Sequence, residues 1–114
     1  MALNSWALSG TWTVDADRAV AGAAAVKIAY QFHARDLHLV MGPETRGNAI
    51  RFRVLIDGKF PGSSHGLDID EEGHGTVREQ RMYQLIRQPG PIGDHAFEIE
   101  FLDAGVAAFS FTFG

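Results

Sequence analysis

Apolar and polar residues alternate along most of the chain. In the segment VKIAYQFH (26–33), the apolar Val26, Ile28, Tyr30 and Phe32 occupy every second position. The same period of two recurs at 37–41, 50–56, 97–101 and 108–113. Because successive side chains of a β-strand point to opposite faces, the pattern predicts strands with one buried and one solvated face.

Turn-forming residues separate these segments. Asp57-Gly58 favours a tight hairpin, because both residues tolerate a positive φ, and the segment DAG (103–105) predicts another short hairpin. Prolines indicate longer loops at 42–43 and 88–91, since proline donates no hydrogen bond to a ladder. The alanine-rich stretch 16–25 has no charged face and contains Gly22, so we interpret it as a loop with a short strand near Val20.

Eight or nine short strands without intervening helices predict an all-β fold, a two-sheet antiparallel sandwich of the jelly-roll kind. The 114 residues correspond to a single domain, so we expect residues 1–114 to form one β-sandwich. Trp6 and Trp12 share a face with Leu8 and Val14, which predicts core positions for both tryptophans.

Composition and the apolar pattern limit the classes of function. The net charge of −4 argues against nucleic-acid binding, which usually requires a basic patch. The absence of cysteine excludes disulfides, thiolate metal sites and a cysteine nucleophile within this chain. No apolar run approaches the ~20 residues needed to cross a bilayer, so we expect no membrane insertion. The N-terminus lacks the pattern of a signal peptide.

Candidate catalytic residues are sparse. Ser63-Ser64-His65 places hydroxyls beside a base, but neighbours in sequence rarely have triad geometry, and no G-x-S-x-G motif is present. Glu98 and Glu100 lie two apart on the solvated face of a strand, where a glycosidase would need its carboxyls in a cleft. We therefore expect a non-catalytic domain without a required cofactor.

The acidic segment 68–79 has the spacing of a calcium-binding loop. Asp68, Asp70, Glu72 and Glu79 stand at positions one, three, five and twelve, and Gly73 at position six permits the turn. The helices that normally flank such a loop are missing. The alternative interpretation is a polar β-turn, in which acidic residues are common.

The segment RMYQLIRQ (81–88) suggests a ligand-binding strand. By alternation, Tyr83 and Arg87 share one face, and an exposed aromatic ring beside guanidinium and amide groups is typical of a sugar-binding surface. The hypothetical site comprises Tyr83, Arg87, Gln88 and His65. The alternative interpretation is a central strand with Tyr83 in the core and Arg87 in a salt bridge.

Several segments, in order and spacing, resemble the C-terminal domain of bacterial DipZ-type thioredoxin-like (redoxin) proteins. They are WALSGTW (6–12), FHARDLHLV (32–40), HGLDID (65–70), YQLIRQ (83–88), and FEIEFLD and FTFG (97–103 and 111–114). The resemblance covers essentially the whole chain. It implies a sandwich like that of carbohydrate-binding modules.

The resemblance also implies a context. The chain would be a C-terminal fragment of a longer redox protein whose thioredoxin-like domain lies upstream, and the parent would act outside the cytoplasm, in the periplasm or at the cell surface. It supplies no established ligand for this domain. We therefore expect an accessory domain that binds carbohydrate or, alternatively, a protein-interaction module that docks on the thioredoxin-like domain or a redox client.

Overall fold

The computed structural model describes residues 6–15 and 17–114, apart from the side chain of Trp6. Within them, one 3-10 turn, Gly62–Ser64, is the helical segment. The strands are β1 (Trp6–Ser9), β2 (Trp12–Val14), β3 (Ala19–Ala21), β4 (Val26–His33), β5 (Asp36–Pro43), β6 (Ile50–Ile56), β7 (His74–Val77), β8 (Arg81–Arg87), β9 (Asp94–Phe101) and β10 (Val106–Phe113). The short strand predicted near Val20 is β3.

The strands form two five-stranded sheets. Sheet 1 has the order β1-β4-β9-β6-β7, and sheet 2 has the order β2-β3-β10-β5-β8. Every pairing is antiparallel. Consecutive strands mostly lie in different sheets, so the chain passes repeatedly between the two layers, as in a jelly roll. The predicted two-sheet antiparallel sandwich is confirmed.

The core lies between the sheets and follows the alternation of the sequence. In β4, every second residue from Val26 to Phe32 is buried, and the residues between them are only partly covered. Strand β9 behaves in the same way from Phe97 to Phe101, and it pairs with β4 on one side and β6 on the other. Fully burying one such large apolar side chain stabilises the fold by about 1.5–3 kcal/mol.

The tight turn predicted at Asp57-Gly58 is confirmed, whereas the hairpin predicted at 103–105 is wrong. Asp57 and Gly58 adopt φ values of 53° and 76°, but their turn closes a single bridge, and the chain then runs through a long loop to β7. The turn after β9 leads into the other sheet, so β9 and β10 are not paired. Asp103 in this turn instead accepts hydrogen bonds from the side chain and backbone of Arg51, which lower its pKa to about 2.

Trp12 lies at the margin of the core. Its ring is half-buried and meets the edge of Phe101, with the ring centroids 6.1 Å apart. Its Nε1 donates to the carbonyl oxygen of Ser9 at 3.0 Å. The side chain of Trp6 is outside the described part of the chain. No helix among the described residues has the length and apolar character to span a membrane.

Candidate ligand-binding surface

A bulge in β8 changes which of its side chains share a face. Gln84 pairs with His38 and Arg87 pairs with Asp36, so β8 has one residue more than β5 between these pairs. The residues between, Leu85 and Ile86, both point into the core and are at most 1% exposed. Arg87 therefore lies on the outer face with Gln84, whereas strict alternation would place them on opposite faces.

Five side chains from three adjacent strands form what we call the polar face, on the outer side of sheet 2. They are His38 of β5, Met82, Gln84 and Arg87 of β8, and Thr112 of β10. Thr112 stands opposite His38, and His38 opposite Gln84, so these three form a row across the sheet. Neighbouring strands are ~4.8 Å apart, and the row therefore spans about 10 Å.

Contacts within the polar face are few and weak. The hydroxyl of Thr112 lies 3.3 Å from Nδ1 of His38 and donates to the sulfur of Met82 at 3.5 Å. Met82 is 45% exposed and places an apolar side chain beside the polar row. The amide of Gln84 and the guanidinium of Arg87 add donors, and the amide also accepts. This surface offers hydroxyl, imidazole, amide and guanidinium groups to a ligand without first breaking strong internal bonds.

The outer face of sheet 1 is different, because its charged side chains bind one another. Nζ of Lys27 lies 3.6 Å from Glu98, and Nη2 of Arg53 lies 3.4 Å from Glu100, both across strands. Of the five side chains of the polar face, only Arg87 carries a permanent charge, and Asp36, which stands opposite it, is paired with Arg35 at 2.9 Å. A neutral, hydroxyl-rich ligand therefore suits sheet 2 better, since binding there requires little desolvation of ions.

Tyr83, which the sequence hypothesis places in a sugar-binding site, is buried. Its side chain is 1% exposed, and its hydroxyl donates to the carbonyl oxygen of Glu79 at 2.7 Å. The same hydroxyl accepts from the backbone N–H groups of Arg78 and Glu79. The guanidinium of Arg81 lies over the ring, 3.9 Å from its centroid. No ring face is free for a sugar, so the stacking prediction is wrong and Tyr83 is a core residue.

The other three predicted binding residues lie near the end of β8, and they differ in accessibility. Gln88 is buried, and its side-chain amide donates to the carbonyl oxygen of Ala34 at 2.9 Å, so it supports the β4–β5 turn. His65 is half-buried, with Nδ1 2.9 Å from the carbonyl oxygen of Gly66. Arg87 is exposed and available to a ligand. Its binding role stays a prediction.

The acidic segment 68–79 has a different geometry from a calcium loop. Asp68 binds Arg81 and accepts from the backbone N–H of Gln84 at 2.6 Å. Burial acts to raise the pKa of Asp68, but these hydrogen bonds outweigh it, so the pKa lies below its usual value. Asp70 accepts from the backbone N–H groups of Glu72 and His74, both at 2.9 Å, as in a polar turn.

These four carboxylates are therefore not assembled as ligands. Glu72 and Glu79 are exposed, and Asp68 is already occupied by a guanidinium. Within residues 6–15 and 17–114, no three His, Asp or Glu side chains are arranged to hold a metal ion. The calcium site predicted from Asp68, Asp70, Glu72 and Glu79 does not fit this geometry, and the turn interpretation does.

Sequence reasoning missed His38, Gln84 and Thr112 as a group. Each stands at an outward position of an alternating strand, which the sequence shows, but the three lie on strands far apart in the chain. Only the order β10-β5-β8 brings them into one row.

The whole sequence, residues 1–114, matches the family model described as "Thioredoxin like C-terminal domain". A comparison with curated proteins found no match.

Solved structures with a similar fold include family two carbohydrate esterases. One from Cellvibrio japonicus has a TM-score of 0.67 at 15% identity, and the match covers 93% of this chain and 29% of the esterase chain. One from Clostridium thermocellum, in complex with cellohexaose, has a TM-score of 0.72 at 14% identity, and the match covers 96% of this chain and 31% of the esterase chain. At such identities the likeness shows the fold alone, and this chain spans less than a third of each of these structures.

Proposed function

Since the chain belongs to the thioredoxin-like C-terminal domain family, we propose that it is a non-catalytic accessory domain that binds a neutral carbohydrate on the polar face. The thiol–disulfide chemistry of a thioredoxin-like protein requires cysteine, and this chain has none. The redox step therefore belongs to a part of the parent protein outside this chain. We place the parent outside the cytoplasm, where glycans of the cell envelope are accessible.

One observation carries the proposal: Thr112, His38 and Gln84 form a row on the outer face of sheet 2, and none of the three carries a permanent charge. Sugar hydroxyls both donate and accept hydrogen bonds, and the amide, imidazole and hydroxyl side chains of the row do the same. The adjoining Met82 supplies apolar surface for the C–H groups of a sugar. The complex of a structural neighbour with cellohexaose supports the choice of this oligosaccharide as a first probe.

Calorimetric titration with cellohexaose, mannohexaose and xylohexaose tests the proposal. We expect at least one to bind, and Gln84→Ala to weaken that binding about tenfold, as expected for lost hydrogen bonds with a net worth of about 1–1.5 kcal/mol. Gln31→Ala is the matched control, because Gln31 is a half-buried glutamine on the outer face of sheet 1. Absence of binding to all three hexaoses would contradict the proposed site. An equal loss of hexaose affinity in Gln84→Ala and Gln31→Ala would contradict it as well.

The alternative function is docking of the thioredoxin-like domain on the same surface. The depletion of charge on the polar face favours this as well, because the centres of protein interfaces are poor in charged residues. A 15N-labelled sample mixed with the separate thioredoxin-like domain of the parent would then show shifts at His38, Gln84 and Thr112. Unchanged spectra would count against docking.

A further inference from the structure

A second bulge, in β10, directs Phe109 away from the regular ladder. The register of β10 against β5 shifts between Ala108 and Ser110, and Phe109 lies at this shift. The neighbouring strand β3 pairs only with Ala107 and Ala108. Strand β3 begins at Ala19, opposite Ala108, so the β2–β3 turn that precedes it lies beside Phe109.

Phe109 lines a cavity of about 290 Å³ at the seam between the two sheets. Its walls are apolar and come from both sheets, and its rim is charged. The apolar residues are Leu8, Val14, Ala19 and Phe109, and the charged ones are Asp15, Asp17 and Arg18. Val14 is 64% exposed, an unusual position for a strand valine, and it therefore leaves apolar surface open to a ligand.

The rim of this cavity is held in place by its own hydrogen bonds. Oδ1 of Asp15 accepts from the backbone N–H groups of Asp17 at 2.9 Å and Arg18 at 3.0 Å. The backbone N–H of Asp15 donates to the carbonyl oxygen of Arg18 at 3.0 Å. Nε of Arg18 lies 3.7 Å from Oδ2 of Asp15, while Asp17 is exposed and has no ion pair with another described residue.

The cavity and the outer side of sheet 2 come next to each other along β10. Ser110 stands opposite Val40, and Val40 opposite Met82, so a second outward row runs parallel to that of Thr112, His38 and Gln84. Phe109 directly precedes Ser110 in the chain. A ligand that lies along this row across β8, β5 and β10 ends at Ser110, one residue from Phe109 of the cavity.

We propose that the Phe109 cavity binds the terminal sugar of the neutral glycan chain that lies on the polar face, so that the domain recognises chain ends. This inference rests on the proposed function and specifies its ligand.

The chemistry of the cavity suits a sugar ring. An aromatic side chain packs against the C–H groups on one side of the ring, while carboxylates accept from its hydroxyls and a guanidinium donates to them. Phe109, Asp17 and Arg18 supply these three kinds of group. The volume lies at the lower limit of small-molecule pockets, ~300–1,000 Å³, which suits one sugar unit and not several.

The test is an NMR titration of the 15N-labelled domain with the hexaoses used above and with their monosaccharides, D-glucose, D-mannose and D-xylose. We expect the monosaccharide to shift the amides of Asp17, Arg18 and Phe109 only. The matching hexaose should also shift those of Gln84 and Met82. Asp17→Asn should weaken binding of both by about tenfold, while Asp94→Asn, which changes an exposed aspartate at the start of β9, should leave it unchanged.

The outcomes separate the two proposals. If the hexaose changes amide chemical shifts on the polar face only, and its affinity is unchanged in Asp17→Asn and Phe109→Leu, end recognition is overturned. The proposed function is then left intact. Chemical-shift changes confined to the cavity overturn the polar face as the site of the chain, and with it end recognition in the form proposed. Absence of shifts at both places with every probe overturns both. Phe109→Leu keeps an apolar side chain, and its own spectrum shows directly whether the domain remains folded.

Discussion

Asp68 binds the guanidinium of Arg81 through both carboxylate oxygens, at 2.7 Å and 3.1 Å, across thirteen residues of sequence. The ion pair fastens the loop before β7 to the first residue of β8. It also holds Arg81 over the ring of Tyr83. An acidic residue that the sequence suggested as a metal ligand thus organises the edge of sheet 2.

We expect Asp68→Asn to lower the free energy of unfolding at pH 7 by about 1–2 kcal/mol, since a charged acceptor is replaced by a neutral one. The pKa of Asp68 is lowered in the folded protein. Its contribution is therefore present above the ordinary aspartate pKa of about 3.9 and is lost as the pH falls towards the folded value. Urea unfolding at pH 7, 5 and 3 measures this.

The difference between wild type and Asp68→Asn should be largest at pH 7 and 5 and smaller at pH 3. Glu71→Gln is the control, because Glu71 is exposed and makes no ion pair with another described residue. A difference that is constant over this pH range would contradict the assigned role of the Asp68 carboxylate.

Tyr83→Phe tests the core position of Tyr83. Removal of the hydroxyl leaves the carbonyl oxygen of Glu79 without its 2.7 Å donor, so we expect a loss of about 1 kcal/mol in unfolding free energy. Affinity for a hexaose should not change, because the ring is inaccessible. Thermal unfolding and calorimetric titration together check this, and a loss of affinity without a loss of stability would contradict the core position of Tyr83.

Gly73 and Gly58 both have a positive φ, of 87° and 76°, and this makes them a matched pair. A Cβ at position 73 would lie 2.1 Å from the carbonyl oxygen of Val54, whereas nothing lies within 4 Å of one at position 58. Gly58→Ala should therefore cost about 1–2 kcal/mol from backbone strain alone. Gly73→Ala should cost about 3 kcal/mol or more, because β6 must also move. Chemical denaturation measures the free energy of unfolding of both variants. Equal losses would contradict the close approach of the Val54 carbonyl oxygen to Gly73.

Arg87 and Gln88 are neighbours in sequence with opposite expected roles. Arg87→Ala should change stability by less than about 0.5 kcal/mol and weaken hexaose binding several-fold, because the side chain is exposed on the polar face. Gln88→Ala should cost about 1–3 kcal/mol, because the carbonyl oxygen of Ala34 loses its buried donor. Denaturation and titration of both variants test this contrast, and a binding defect in Gln88→Ala alone would reverse the assignment.

The sequence predicted those parts of the fold that follow a regular period. Ile28 and Phe52 are buried where the alternation places them, because β4 and β6 pair with β9 without interruption. The resemblance to the C-terminal domain of thioredoxin-like proteins was confirmed as well, since the family model spans the same residues, while the DipZ type stays a prediction.

The candidate site was harder to predict, for two physical reasons. The bulge at Leu85 depends on pairing with β5 and has no local signature, so Tyr83 and Arg87 appeared to share a face. The carboxylate of Asp68 can bind either a calcium ion or a guanidinium group. Only the folded chain places the guanidinium of Arg81 beside it. In both cases the deciding partner lies on another segment of the chain.

The bulge in β8 also affects how related sequences should be compared. In a relative that lacks the extra residue, the position aligned with Arg87 without a gap would point into the sandwich, and the equivalent surface position would be one residue away. A search for a shared surface motif must therefore introduce a one-residue offset after Leu85. An ungapped alignment would compare core residues of one protein with surface residues of the other.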